Sequence, residues 1–147
     1  MTVEPRNAAS DKSRADFPKF GDRHFVETEL LGTLADDFVR EDRRRLIDFA
    51  TATGEELVAY ALSWFDVGDG QPKFSTIGTV AVRGERLALV HWRVGYEDGM
   101  GTELLAVGQY DERVQITQRV IAFDLEDINA AIVELDRMHA EIEAAST

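Results

Sequence analysis

The chain has no cysteine, only three histidines and three prolines, and no surplus of basic residues among its 147 positions. Each shortage closes a class of function. Without cysteine there is no disulfide, no thiolate nucleophile and no cysteine-ligated metal centre. His24, His91 and His139 fall in three separate segments with no His-x-His or His-Glu-x-x-His spacing, so no metal site is expected. Sixteen basic residues stand against 28 acidic ones, a formal net charge of −12. That field repels phosphate backbones and anionic lipid, which argues against nucleic acid and membrane surfaces as partners. No apolar run approaches the ~18–20 residues of a membrane span. The segment from Met1 to Asn7 lacks the apolar centre of a signal peptide, which makes the cytoplasm the expected location. There is no Gly-x-Ser-x-Gly, no P-loop and no dinucleotide fingerprint, and no cofactor is expected.

What is present is ordinary for one soluble domain: 44% hydrophobic and 30% charged residues. A chain of this length buries roughly 68–70% of the surface it exposes unfolded, enough for a core without staples. Residues 1–16 are small and polar and read as a flexible lead-in, which leaves 17–147 as a single domain. His24 to Leu34 fits a short helix loosely, and Phe38 to Arg44 an extended piece. Thr53-Gly54-Glu55-Glu56 opens a helix in which Leu57, Tyr60, Ala61, Trp64 and Phe65 share one face; Gly68-Asp69-Gly70 and Pro72 end it. The period then changes from 3.6 to 2 over Lys73–Arg83, Arg86–Glu97, Thr102–Tyr110 and Arg113–Phe123. A closing helix follows Asp124-Leu125-Glu126-Asp127. The fold class is α+β, with a curved antiparallel sheet covered on one face by about three helices.

Hairpin lengths assign strand faces. A two-residue turn at Gly84-Glu85 puts Arg83 opposite Arg86. A four-residue turn at Asp98–Gly101 puts Glu97 opposite Thr102, and a two-residue turn at Asp111-Glu112 puts Tyr110 opposite Arg113. Trp92, Tyr96, Glu103, Leu105, Gln118 and Val120 then share the core face, with Glu103 beside Tyr96 and Gln118. A buried, unpaired carboxylate has a raised pKa suited to acid–base work; the alternative is that Glu103 sits at a strand end and reaches water. Asp42, ahead of the aromatic helix, is either an inward-facing base or a cap or ion-pair partner. Arg43-Arg44-Arg45, beside Glu41, Asp42 and Asp48, forms a solvated or salt-bridged edge or, alternatively, an anion site. His91 and Arg93 fall on the opposite face, solvated or at a subunit interface.

Three strings, Ala35-Asp36-Asp37-Phe38-Val39-Arg40-Glu41-Asp42-Arg43-Arg44-Arg45, Val82-Arg83-Gly84-Glu85-Arg86-Leu87-Ala88-Leu89 and Ala122-Phe123-Asp124-Leu125-Glu126-Asp127-Ile128-Asn129-Ala130-Ala131, carry a resemblance. Over about residues 24–140 the chain resembles the SnoaL-like branch of the nuclear transport factor 2-like superfamily, as found in actinobacterial modules that stand alone or are joined to regulators and cyclases. The resemblance implies a cone-shaped roll with a pocket between sheet and helices. In enzymes of the superfamily that pocket holds an acid–base carboxylate or histidine, often with a tyrosine. The positions here that could match are Asp42, Tyr96, Glu103 and Gln118. The family's long first helix is short or degenerate over Asp16 to Asp22, which includes Pro18 and Gly21.

Two main readings follow. One is a non-catalytic or sensory module binding an apolar small molecule through Tyr60, Trp64, Trp92, Tyr96, Leu105, Gln118 and Val120, and homodimeric through the sheet. The other is a small cofactor-independent enzyme (isomerase, dehydratase, cyclase or epoxide hydrolase) with Glu103 or Asp42 as base and Tyr96 as hydrogen-bonding acid. A domain whose cone is filled by its own side chains is the third possibility.

Overall fold

A computed structural model describes residues 3–45, 51–67 and 71–146. Regular structure begins inside the segment expected to be a flexible lead-in. The Asn7 side chain accepts from Ser10 N at 2.8 Å and Ser10 Oγ accepts from Asn7 N at 2.9 Å, a capping box that starts helix α1 (Ala8–Asp16). The Asn7 amide also donates to the carbonyls of Gly84 and Leu87, each at 2.9 Å, and Ala9 is fully buried. The lead-in reading is therefore corrected from Asn7 onward. Its small polar residues are capping and close-packing groups, which composition alone does not distinguish from a disordered tail.

A 3-10 turn (Phe17–Gly21), helix α2 (Arg23–Thr28) and a second 3-10 turn (Leu30–Thr33) lead into strand β1 (Leu34–Asp42). After the short strand β2 (Thr51–Ala52), Thr53 and Glu56 exchange backbone-to-side-chain hydrogen bonds at 3.0 and 3.3 Å and open helix α3 (Gly54–Val67). The Gly68–Gly70 stop and Asp48 lie outside the described residues. Strands β3 (Lys73–Arg83), β4 (Leu87–Gly95), β5 (Gly101–Tyr110) and β6 (Thr117–Phe123) follow, and helix α4 (Ile128–Ala145) closes the chain. Among the described residues no helix is long and apolar enough to cross a membrane.

The strands form one curved sheet in the order β2-β1-β6-β5-β4-β3. It is mixed rather than wholly antiparallel, because β1 runs parallel to β6. A long connection carrying α3 and four strands separates the two, and only such a connection permits parallel pairing. Register shifts at Thr76/Gly78 and Thr79/Ala81 in β3, and at Gln109/Tyr110 in β5, bend the sheet.

The hairpin registers differ from those expected. β4 and β5 pair Gly95 with Gly101 and Trp92 with Leu104, so their loop has an odd number of residues. An odd loop in place of an even one turns every β5 side chain to the other face. The cause lies in the two glycines: a Cβ on Gly101 would stand 2.5 Å from the Val94 carbonyl oxygen, and one on Gly95 would stand 2.7 Å from that of Met100. β6 starts at Thr117 rather than Arg113, because Asp111 gathers the N–H groups of Gln115 and Ile116 at 2.8 and 3.1 Å. Between them β5 and β6 carry two separate layers. Leu105, Val107, Ile121 and Phe123 face outward against Ala131, Leu135 and Met138 of α4. Leu104, Ala106, Val120 and Ala122 face inward toward α1, α2 and α3.

Candidate functional site

Between the inner face of the sheet and the helices α1 to α3 lies a cavity of about 150 Å³. Its apolar wall is aromatic. Phe17 stacks on Trp92 with centroids 4.0 Å apart and planes 5° from parallel, and meets Phe74 edge-on at 5.4 Å. Phe17 descends from the 3-10 turn after α1 and meets Phe74 of β3 and Trp92 of β4, so the segment expected to be degenerate supplies part of the cone's wall. The Trp92 Nε1 is a buried donor with no acceptor among the described residues.

The polar end is built by strand alternation. Phe38 anchors the inner face of β1, and two-residue spacing puts Arg40, Asp42 and then Arg44 on the same side. The Asp42 side chain is 1% exposed. It accepts from Arg44 Nε at 2.9 Å, Nη2 at 2.6 Å and backbone N at 3.1 Å, and from Arg40 Nη2 at 3.2 Å. The Arg40 guanidinium also lies over the Tyr60 ring, 4.9 Å from its centroid. Among the described residues Asp42 is the carboxylate that both arginines touch, so two buried cations share one buried anion. Taking each ion out of water costs several kcal/mol, which only well-made hydrogen bonds offset.

These contacts set the protonation states. Burial pushes the Asp42 carboxyl up, but the Arg44 hydrogen bonds and the charges of Arg44 and Arg40 outweigh it and hold it below the usual carboxylate range. Burial pulls Arg44 down, and Asp42 more than restores it. For Arg40 burial prevails over the attraction of Asp42, and its pKa falls below the ordinary guanidinium value. On the α1 side, burial raises the Tyr110 phenol above its normal range, against the pull of the Ser13 hydroxyl. Asp16, at the edge of the cavity, is paired with Lys12 at 2.7 Å and Lys19 at 3.0 Å; they overcome its burial and keep it ionised.

The expected site residues are distributed as follows. Tyr60, Trp92 and Val120 line the cavity. Trp64 stands behind the wall, 6.3 Å from Phe74 and 5.8 Å from Tyr96, and the Tyr96 hydroxyl donates to the Trp64 carbonyl. Leu105 packs under α4. Gln118 is the extra residue of the β5–β6 bulge and accepts from Arg86 and Gln109, each at 3.1 Å. Glu103 is corrected outright in position. The odd β4–β5 loop puts it on the outer face, 45% exposed, with Oε1 2.7 Å from His91 Nε2. The three consecutive arginines also separate: Arg43 reaches Glu41 and Glu134, Arg45 reaches Glu126 and Asp127, and Arg44 turns inward. The edge reading holds for Arg43 and Arg45 and fails for Arg44. Arg40, Arg44 and Tyr110 are among the cavity groups that sequence reasoning missed, with Asp16, Lys12, Lys19, Phe17 and Phe74. Counting outward by twos from Phe38 is the signal that finds the first two.

No protein-family model matches the chain, and neither does any curated protein sequence. Solved structures do. BvnE pinacolase from Penicillium brevicompactum is 16% identical with a TM-score of 0.59, over 94% of this chain and 97% of that one. AusH from Aspergillus nidulans is 14% identical with a TM-score of 0.65, over 85% and 96%. An NTF2-like protein of unknown function from Mesorhizobium loti is 17% identical with a TM-score of 0.55, over 84% and 98%. At these identities the likeness is one of fold.

Proposed function

We propose that this chain, which has the nuclear transport factor 2-like fold, is a binding module that holds a small, largely apolar molecule in its cone and does not turn it over. The observation that carries this reading is the pairing of the carboxylates at the cavity. Asp16 on the wall is paired with Lys12 and Lys19, Asp42 behind the wall with Arg44 and Arg40, and these partners hold both below the usual carboxylate range; burial raises the Tyr110 phenol, and among the described residues no histidine lines the cavity. Proton transfer near neutral pH needs a group poised there, and fixed charges do not supply one. The enzyme reading is less well supported. Its carboxylate base would have to face the ligand, whereas Glu103 lies on the outer face and Asp42 is occupied by two arginines. A free-standing or appended module of SnoaL-like, actinobacterial type in the cytoplasm suits this reading. So does a homodimer through the part of the outer face that α4 leaves open around His91, Arg93 and Ile77.

The cavity volume matches a single ring, comparable to engineered apolar cavities of ~150 Å³ that take benzene. Neutral monocyclic probes, toluene and indole, are expected to raise the melting temperature. At 100 times its dissociation constant a probe adds about 2.7 kcal/mol, or roughly 5–11 °C for a chain of this size. Absence of any shift with both probes contradicts the reading.

A further inference from the structure

The binding reading leaves one part of the cavity unexplained. An apolar ligand alone gives no role to two guanidinium groups on the wall of a pocket that aromatic rings otherwise line. Arg40 and Arg44 both line the cavity, and their side chains are 8% and 7% exposed. Among the described residues a single carboxylate, Asp42, stands behind them at 1% exposure and does not itself line the cavity. Arg44 spends Nε and Nη2 on Asp42, whereas Arg40 gives it one Nη2 hydrogen bond at 3.2 Å, the longest of the set. The pair therefore carries one positive charge more than its buried partner cancels. Lys12, Lys19 and Asp16 at the edge add one more, so among the described residues the cavity lining is cationic inside a chain whose net charge is −12. A local sign opposite to that of the whole molecule is not a by-product of composition.

We propose that the cavity recognises a small apolar carboxylate, a ring or short branched chain bearing one acid group, with that group docked between Arg40 and Arg44 beside Tyr60 and the apolar body against Trp92 and Phe74. This rests on the binding reading and narrows its ligand class. The planar guanidinium fork matches carboxylate geometry, and a pocket excluded from water strengthens such charge-assisted bonds. The volume limits the acid to about one ring, which selects benzoate-sized molecules over lipids and nucleotides.

The test compares matched pairs by isothermal calorimetry on the whole chain: benzoate against benzamide, and phenylacetate against phenylacetamide. The carboxylates are expected to bind at least tenfold more tightly than the amides. Acetate, which lacks the apolar body, is expected to bind at least tenfold more weakly than benzoate. Arg40→Met keeps the bidentate Arg44–Asp42 pair and hence the fold; it is expected to erase the carboxylate preference, bringing benzoate and benzamide affinities within twofold of each other. Amides that bind as well as their acids, or acetate that binds as well as benzoate, overturn the inference while the binding reading stands. Failure of acids and amides alike overturns both.

Discussion

Asp42 shows how one residue can be legible in position and misread in role. Its place on an extended piece ahead of an aromatic helix marks it as inward-facing, and it is buried. Its neighbours two residues away on either side make it a counter-ion rather than a base. Arg44 escapes a reading by composition because a basic run on an acidic chain normally lies in solvent, and Arg40 because a lone charged residue normally does. Strand alternation anchored on Phe38 overrides that. Removing the carboxylate leaves two buried cations without their anion, so Asp42→Asn is expected to destabilise the chain by about 3–5 kcal/mol in chemical denaturation. Glu103→Gln, half-exposed on the outer face beside His91, is expected to change stability by no more than about 0.5 kcal/mol. It should also leave toluene and indole binding unaltered. If the size of these two effects were reversed, the inner and outer faces assigned to β1 and β5 would be wrong.

At the scale of elements, α3, β3 and α4 can be found from periodicity and capping signals, and their observed bounds lie close to those expected. The hairpin registers cannot, because face assignment depends on whether a loop is odd or even. Gly95 and Gly101 settle that through a backbone approach too close for any Cβ. The same limit hides α1, whose Asn7–Ser10 cap is two polar residues in a polar tract until its bonds to Gly84 and Leu87 are seen. Helix α4 carries a separate device. Arg137, together with Arg43 at 3.4 Å, binds the Glu134 carboxylate and lowers its pKa from 4.5 to about 2, with Arg137 hydrogen bonding as the main cause. A depressed carboxylate contributes stability that is complete above its unfolded value and is lost as pH falls through its folded one. Stability is therefore expected to fall between about pH 4.5 and 2 by on the order of 2 kcal/mol from this group, a figure reduced because Arg137 is half-exposed. Glu134→Gln should flatten that part of the pH profile; an unchanged slope would show that the Glu134 network contributes nothing.

For the whole molecule, the element order from α3 onward and the α+β class are written in the sequence, because they arise from local periodicity and short turns. The parallel β1–β6 pairing is not, since it joins segments some 80 residues apart with no local signal between them. The net charge of −12 describes the surface and misleads about the interior, where the cone is aromatic on one side and cationic at one end. The proposed binding function rests on the space the cone encloses, about 150 Å³. Ala61, on α3 and 1% exposed, faces that space, and a phenyl group placed there occupies it at a strain of about 1–3 kcal/mol. The most direct measurement is an indole titration, followed by calorimetry, of the native chain and of Ala61→Phe. Saturable one-to-one binding by the native chain, lost in a folded Ala61→Phe, is the predicted result. Equal binding by both, or none by the native chain, would contradict a ligand-holding cone.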